Sequence, residues 1–312
     1  MNKQFFGLFA FLLAFLFSCS DDNLNTGKKE GMVDFTIETS IPKEIATYAS
    51  HEGGIANVDP GYYSLRYIME VWTQDNPRQL AYRDSSIVTD FNVSTNVTFS
   101  VQLVSQVYDF VFWADFVDKG TKEDKFYNTN SNNTSFADLG YLGLQDIQIK
   151  SYEISTEARD AFYAAEKNVD LSHSNHIGVK LTRPFGKYRL IATEAPSGSV
   201  GEVTVDYSAM ALPVGFNALT GDITSVTILA TTCTGEASPE IAEAGGITYP
   251  NAYVLAFDYI FVPESVPQTV KFNATVYDGT AAAGASIGYF EIPDILVERN
   301  KLTTVIGNFF TN

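Results

Sequence analysis

Carboxylates embedded in an apolar run are the first residues of this sequence that could do chemistry. Asp109, Asp115 and Asp118 lie within VYDFVFWADFVDKG, residues 107–120. On one strand, Asp109 and Asp115 would have backbones roughly 20 Å apart, whereas the paired carboxyl groups of a glycosidase lie about 5–9.5 Å apart. We therefore expect no catalytic dyad here. Instead, we expect a strand buried on both faces, with Asp115 and Asp118 marking its end and the following turn.

The histidines are the candidates for a metal site. His173 and His176 are three residues apart in DLSHSNH, and His51 is the third histidine of the chain. The segment is typical of a turn, and no third ligand is evident nearby, so we expect no zinc site. The sequence also lacks a nucleophile elbow, a Walker loop, a Cys-x-x-Cys pair and an EF-hand loop. We predict no cofactor, no metal and no enzymatic activity.

Aromatic side chains form 13% of the chain and could stack on sugars or fill a core. Trp72 and Trp113 are the two tryptophans. Core packing is the favoured interpretation, because large aromatic residues are usually buried in β-sandwiches. The alternative is a glycan-binding outer-membrane lipoprotein that is accessory to polysaccharide uptake.

The N-terminus has the pattern of a secretory signal. Lys3 is followed by an apolar run over residues 5–17 and then by Ser18 and Cys19. The run is shorter than the roughly 20 residues of a transmembrane helix. Leu16 to Cys19 also resembles a bacterial lipobox, in which the cysteine becomes the acylated N-terminus. We predict that residues 1–18 are a lipoprotein signal peptide and that Cys19 carries the lipid.

The residues after Cys19 indicate where the lipoprotein goes. Ser20, Asp21 and Asp22 resemble the signal with which Bacteroidetes export lipoproteins to the cell exterior. The polar segment 19–32 suits a flexible tether. We therefore expect a lipid-anchored protein on the outer face of the outer membrane.

Net charge excludes one class of partner. The chain carries a formal charge of −17, which becomes −18 when Lys3 is lost with the signal peptide. Such a protein is repelled by phosphate backbones, so no nucleic-acid partner is expected. Cys233 is the only cysteine besides Cys19. With Cys19 lipidated, no structural disulfide is available, and Cys233 is expected to be a small core or loop residue.

Alternation of apolar and polar residues dominates the rest of the chain. Val33, Phe35, Ile37, Thr39 and Ile41 share one face of a predicted first strand. Similar patterns predict strands in the segments 64–74, 79–84, 91–103, 176–194, 202–209, 223–231, 253–262, 268–278, 286–292 and 301–310. In segment 91–103, Val93 is predicted to face inward. Only residues 155–168 suit a short helix.

Many short strands separated by turn signals predict β-sandwiches. Pro, Gly and Ser in residues 195–202 indicate a domain boundary. We predict an N-terminal sandwich over 33–195, which would include the short helix, and a C-terminal sandwich over 196–312.

Five blocks of the chain carry a family resemblance. They are YDFVFWAD (108–115), RDAFY (159–163), LTRPFGKYRL (181–190), LPVGFNALTG (212–221) and VERNKLTTVIGNFFT (297–311). They resemble the fimbrillin-like surface lipoproteins of Bacteroidetes, including a domain-of-unknown-function branch. The resemblance implies an all-β fold of two tandem transthyretin-like/Ig-like β-sandwich domains. It also implies a role in pilus assembly, anchoring or adhesion, with other pilus or surface subunits as partners.

The resemblance further implies that subunits assemble by exchanging strands. A protease removes the first strand, here the one with Val33, Phe35, Ile37 and Ile41, and a neighbour's strand fills the groove. This chain differs from polymerising members, because no arginine lies between Cys19 and Arg66 and only Lys28, Lys29 and Lys43 are basic there. It also has little sequence after GNFFTN to donate. We therefore expect an anchor, an accessory subunit or a non-polymerising relative that keeps its lipid and its first strand.

Overall fold

Strands account for almost all regular structure in the computed structural model, which describes residues 31–42, 55–130, 141–194, 200–230 and 232–310. Within these ranges there are 19 strands, three single-turn 3-10 helices and no α-helix. The predicted all-β fold is confirmed. The strands up to residue 180 are β1 Met32–Ser40, β2 Tyr63–Thr73, β3 Leu80–Val88, β4 Val97–Val104, β5 Val107–Asp118, β6 Tyr127–Asn128, β7 Ile147–Ile149, β8 Ala161–Asp170 and β9 His176–Lys180.

The remaining strands follow in the second part of the chain. They are β10 Phe185–Ala192, β11 Glu202–Asp206, β12 Leu212–Asn217, β13 Asp222–Thr227, β14 Cys233–Glu236, β15 Ser238–Ala244, β16 Ile247–Phe261, β17 Gln268–Tyr277, β18 Ser286–Val297 and β19 Leu302–Gly307. The 3-10 helices are η1 Ile55–Asn57, η2 Gly143–Gln145 and η3 Glu157–Arg159.

Two sheets enclose most of the first apolar core. One has the strand order β3-β2-β5-β8, and the other has the order β4-β1-β9. The buried side chains of these strands form one hydrophobic cluster that also includes Phe185, Phe216 and Phe261 from later strands. The first core is therefore closed partly by residues from the second half of the chain.

Strand β5 confirms the interpretation of the apolar run. It pairs antiparallel with β2 on one side and with β8 on the other. Every residue from Tyr108 to Val117 is buried, as expected of a central strand covered on both faces. Within the described ranges, no helix is both long enough and apolar enough to cross a membrane.

Two further sheets enclose the second core, with the orders β15-β16-β10-β19 and β14-β11-β17-β18. Their inner faces contribute a separate cluster around Tyr188, Leu190, Tyr207 and Phe272. Alternating burial along β17, with Val270, Phe272, Ala274 and Val276 inside, shows the half-buried pattern that its sequence predicts.

A fifth sheet combines strands from both halves of the chain, in the order β13-β12-β7-β6. Phe216 of β12 is opposite Ile147 of β7. In addition, β10 precedes residue 196 in the chain and pairs with β16 and β19. The division at residues 195/196 stays a prediction.

The helix predicted over 155–168 is wrong. Only Glu157–Arg159 forms a single 3-10 turn, and Ala161–Asp170 is strand β8. Ala, Glu and Lys favour helices by a few tenths of a kcal/mol per residue. Pairing with β5 and burial of Ala161, Phe162 and Ala164 outweigh that preference.

Two smaller sequence expectations also fail. The strand predicted from residue 91 begins only at Val97, and the side chain of Val93 is 81% exposed rather than inward. Strands β6, β7, β12, β14 and β15 were not predicted. The last three each contain a proline or glycine that weakens the strand pattern, namely Pro213 in β12, Gly235 in β14 and Pro239 in β15.

Candidate functional site

The first strand of the chain occupies the centre of its sheet. Strand β1 pairs antiparallel with β4, from Met32 opposite Val104 to Thr39 opposite Val97. On its other side it pairs parallel with β9, from Thr36 to Ser40. A terminal strand therefore holds two other strands together, and neither β4 nor β9 pairs with the other in the described chain.

Three of the predicted exchange residues lie along one face of β1, and the fourth, Ile41, directly follows the strand. Phe35, Ile37 and Ile41 are buried, and Val33 is half-buried. The ring of Phe35 stacks on Phe110 of β5 at a centroid distance of 5.3 Å. Apolar residues at alternate positions thus anchor β1 to the core of the first sandwich.

Thr39 lies on the same face of β1 as Phe35 and Ile37 and is a buried polar residue. Its Oγ1 donates a 2.9 Å hydrogen bond to the carbonyl oxygen of Val97, so its hydroxyl is satisfied inside the core. If β1 were absent, the edges of β4 and β9 would lose their partner, and an apolar slot would open over Phe110. A β-strand from another chain could fill such a slot by β-augmentation.

The sequence around β1 offers few sites to a protease that cuts after basic residues. Residues 30–42 contain neither lysine nor arginine. Arg66, the first arginine after Cys19, is only 2% exposed and is held inside β2. Lys28, Lys29 and Lys43 lie outside the described residues, as do the predicted lipid site Cys19 and the export residues Ser20, Asp21 and Asp22.

The carboxylates of β5 form ion pairs and hydrogen bonds that stabilise the fold. Asp115 accepts two hydrogen bonds from the Arg66 guanidinium, at 2.9 Å from Nε and 2.7 Å from Nη2. Arg66 Nη1 also lies 2.9 Å from Asp124. Burial raises the pKa of Asp115, and the charge of Arg66 opposes that shift. The expectation that Asp115 marks the end of the strand is wrong, because β5 continues to Asp118 and Asp115 is paired in its interior.

Asp109 also has partners, which explains how a carboxylate fits in this strand. It accepts hydrogen bonds from Gln74 Nε2 at 2.6 Å and from the Asn168 backbone N–H at 2.9 Å, and it forms an ion pair with Arg78. Asp118 lies at the exposed end of β5, 2.6 Å from Lys125 Nζ. Each carboxylate therefore has its own cation, and the three do not converge on a common space.

A polar cluster absent from the sequence predictions lies inside the second core. Asp258 of β16 pairs with Arg159 and accepts hydrogen bonds from Tyr152 Oη at 2.8 Å and Tyr207 Oη at 2.7 Å. The Arg159 guanidinium also lies 4.3 Å from the centre of the Tyr152 ring. Burial raises the pKa of Asp258, while Arg159 and the two phenols lower it in part.

Two further buried pairs connect the same segment to the second half of the chain. Asp160 binds the guanidinium of Arg183, with Nε–Oδ1 at 2.9 Å and Nη2–Oδ2 at 2.7 Å. Glu157 accepts a 2.6 Å hydrogen bond from Lys187 Nζ. Sequence patterns gave no signal for these contacts, because the partners are 23 and 30 residues apart on different elements. Arg159 and Asp258 are 99 residues apart. In each of these pairs an acid lies against a cation, so the groups hold segments together and offer no free acid or base.

The described residues hold no group of three His, Cys, Asp or Glu side chains that could bind a metal. His173 Nδ1 contacts Asp170 Oδ2 at 2.9 Å on the surface, and His176 Nε2 lies 3.7 Å from Glu38. His51 is outside the described ranges.

Neither tryptophan is available to stack on a sugar. Trp72 is 2% exposed and Trp113 is fully buried. Trp72 Nε1 donates a 3.0 Å hydrogen bond to Glu70, which fixes the indole inside the first core. The expectation of core packing is confirmed for both residues.

Comparisons with known proteins place the chain in a family. Residues 25–312 match the model of a family of unknown function, DUF6562. None of the curated proteins is similar in sequence. The tip fimbrial protein Mfa3 from Porphyromonas gingivalis, solved with a C-terminal truncation, is similar with a TM-score of 0.42 and 13% identity, over 84% of this chain and 81% of that one.

A fimbrial assembly protein from Parabacteroides distasonis is also similar, with a TM-score of 0.43 and 10% identity, over 88% of this chain and 91% of that one. The match over residues 25–312 shows that the chain belongs to the DUF6562 family of unknown function.

Proposed function

We propose that this chain is a cell-surface lipoprotein of the fimbrillin-like class that acts in pilus assembly, anchoring or adhesion. In this role it is attached to the outer membrane by a lipid on Cys19 and faces the cell exterior. It meets other surface subunits through β-strand-mediated contacts and retains its own first strand.

The observation that carries the proposal is the central position of β1. The strand is paired on both sides and buries Phe35, Ile37 and Ile41. Burial of such side chains stabilises the folded chain by about 1.5–3 kcal/mol each. With this pairing and burial, β1 stays in its sheet unless a protease cuts the chain on the C-terminal side of β1.

The basic residues support retention of β1. A cut that removes the whole strand has to fall after Ser40 and before β2, where Lys43 is the only lysine or arginine. The next basic residue, Arg66, is buried and paired with Asp115. A protease specific for arginine therefore has no accessible arginine that would release β1.

The charge of the chain supports lipid attachment. Without the signal peptide and its Lys3, the net charge changes from −17 to −18, and the protein is repelled by anionic membrane surfaces. One acyl chain gives only marginal membrane binding, whereas several give stable attachment. A multiply acylated cysteine at the start of a polar tether would hold the sandwiches at the surface despite their charge.

Substitution of Cys19 tests the anchoring. The variant Cys19→Ala should move the protein from the outer-membrane fraction to the soluble fraction. The matched variant with Asp21→Asn and Asp22→Asn should stay with the membrane but lose labelling by an antibody added to intact cells. An unchanged distribution of Cys19→Ala would refute lipid attachment, and unchanged labelling of the second variant would refute the export signal.

A further inference from the structure

Strand β19 leaves one side of its sheet open. It lies at the end of the order β15-β16-β10-β19 and pairs parallel with β10, from Leu302 opposite Lys187 to Gly307 opposite Ala192. In the part of the chain that the structure describes, no strand pairs with its other side. An open edge of this kind is a template for pairing with another chain.

The hydrogen bonds to β10 show which backbone groups face outward. The N–H of Lys187 donates to the carbonyl oxygen of Lys301 at 2.9 Å, and that of Thr193 donates to Gly307 at 2.9 Å. In a parallel ladder, alternate residues bond to the same neighbour. Residues 301, 303, 305 and 307 therefore face β10, while Leu302, Thr304 and Ile306 present their N–H and C=O groups to the open side.

The open edge lacks the residues that usually prevent pairing. Residues 302–310, LTTVIGNFF, contain no charged residue and no proline. The edge strand β15 carries Pro239, Glu240 and Glu243, and the edge strand β18 carries Pro293 and Asp294. Charges and prolines are the common protection of edge strands. Strand β19 is unprotected in this sense.

Strand β4 is another edge strand without charged residues, but the strand that pairs with it, β1, carries two carboxylates. On β1, Asp34 and Glu38 lie opposite Gln102 and Thr98 of β4. Two copies that met at β4 would bring four carboxylates together. The carboxylates of the two copies would lie three strand spacings, about 14 Å, apart, so the β4 edge is the more acidic of the two.

Strand β10, which pairs with β19, carries two cations that are already paired with carboxylates. Arg189 lies beside Thr304 and is 3.0 Å from Glu240, and Lys187 is 2.6 Å from Glu157. Two copies can therefore approach at β19 with less repulsion than at β4. Thr303 Oγ1 donates a 2.8 Å hydrogen bond to the carbonyl oxygen of Leu296 on β18, and the side chain of Leu296 is 53% exposed, so apolar surface lies near β19.

The sequence of β19 is complementary to itself. In an antiparallel pair centred on Thr304, Leu302 would face the partner's Ile306, and Thr304 would face the partner's Thr304. Lys301 would face the partner's Gly307, so no like charges are opposed. Aliphatic and Thr–Thr cross-strand pairs each contribute roughly 0.2–1 kcal/mol.

We propose that two copies of this chain pair antiparallel along β19, with Thr304 on the twofold axis. The two four-stranded sheets then form one continuous sheet across an isologous interface. The inference deepens the proposed strand-mediated role by naming one edge and one partner. It does not depend on lipid attachment or on retention of β1, so the two proposals can fail separately.

A cysteine at the axis tests the geometry. Opposed residues of a hydrogen-bonded antiparallel pair have Cα atoms about 5.5 Å apart, which suits a disulfide. The purified full chain with Thr304→Cys, in mild detergent under mild oxidation, should become a dimer that reductant separates. Thr234→Cys, which is equally uncharged and exposed on β14, is the matched control. A Thr304→Cys chain that stays monomeric, or crosslinks no faster than the control, overturns the proposal.

A charge at the axis tests the same interface without new bonds. In sedimentation of the full chain in mild detergent, Thr304→Lys should raise the dissociation constant of the dimer by about tenfold or more, because two ammonium groups would be opposed. Ser100→Lys on β4 should leave it unchanged. A wild-type chain that is monomeric throughout its soluble range, or a dimer lost with Ser100→Lys but not with Thr304→Lys, contradicts the assignment.

Discussion

At the scale of single residues, the buried charges of this chain form ion pairs that hold distant segments together. Arg66 with Asp115, Arg183 with Asp160, and Arg159 with Asp258 are each buried as opposite charges in contact. Two of these pairs join segments on either side of residue 180. Removal of one partner leaves the other as an uncompensated charge in a low-dielectric interior, which is more costly than the loss of a surface pair.

The variant Asp258→Asn tests this role. It leaves the Arg159 charge without a counterion, and we expect a loss of about 3–5 kcal/mol in the free energy of unfolding. Urea unfolding followed by far-ultraviolet circular dichroism measures the change, because both tryptophans lie in the first core. Asp294→Asn, at an exposed position of β18, should stay within about 0.5 kcal/mol of the wild type. If both variants change the free energy of unfolding by equally small amounts, the buried pair does not stabilise the second core.

Alkaline pH should destabilise the protein through the same core. Burial raises the pKa of Tyr152, Tyr188 and Tyr207 well above the ordinary value, and it raises the pKa of Cys233 to about 12. The unfolded chain loses these protons at lower pH than the folded chain. Stability is therefore retained below the ordinary pKa values and falls as pH rises through them, by about 1.4 kcal/mol per pH unit for each group.

Urea unfolding at several values between about pH 8 and 11 measures this fall. Tyrosinate absorbance should show that the three phenols ionise only when the chain unfolds. In the native protein at neutral pH, Cys233 should not react with a thiol reagent. Titration of all tyrosines near their ordinary pKa in a folded chain would contradict the burial that these shifts require.

At the scale of strands, sequence patterns predict those elements whose burial follows a simple period. The alternation from Val33 to Ile41 matches β1, and the continuous apolar run matches the fully covered β5. Strand β8 could not be predicted, because its Ala, Glu and Lys residues favour helix and only contact with β5 makes it a strand. Ion pairs such as Arg159 with Asp258 could not be predicted either, because they depend on how distant strands pack.

A disulfide between β1 and β4 tests whether β1 has to leave. Thr36 and Ser100 are directly opposite. The Ser105 N–H donates to the Gly31 carbonyl oxygen, so the odd residues of β1 form the hydrogen-bonded pairs. Thr36 and Ser100 are then a non-hydrogen-bonded pair with Cα atoms about 4.5 Å apart, within the range for a disulfide.

Cells that carry only the Thr36→Cys and Ser100→Cys double variant should form pili and adhere as wild-type cells do, because β1 stays in place. The Thr36→Cys single variant is the control for the substitution itself, and a deletion strain sets the baseline. If the double variant falls to the level of the deletion strain while the single variant does not, exchange of β1 is part of the function.

At the scale of the whole molecule, two apolar cores are joined by shared strands and buried charges. The sheet β13-β12-β7-β6 contains strands from both halves, and Phe216 and Phe261 reach into the first core. The chain thus has the all-β fold that composition and turn signals predict. Its two halves share a sheet and core residues, which two separate sandwiches would not.

Mass spectrometry of the intact protein recovered from outer membranes tests the central claim most directly. A retained first strand and a lipid anchor predict a single species that begins at acylated Cys19 and includes β1. A species that begins after Lys28 or Lys29 would contradict the anchor, and one that begins after Lys43 would contradict the retention of β1 as well.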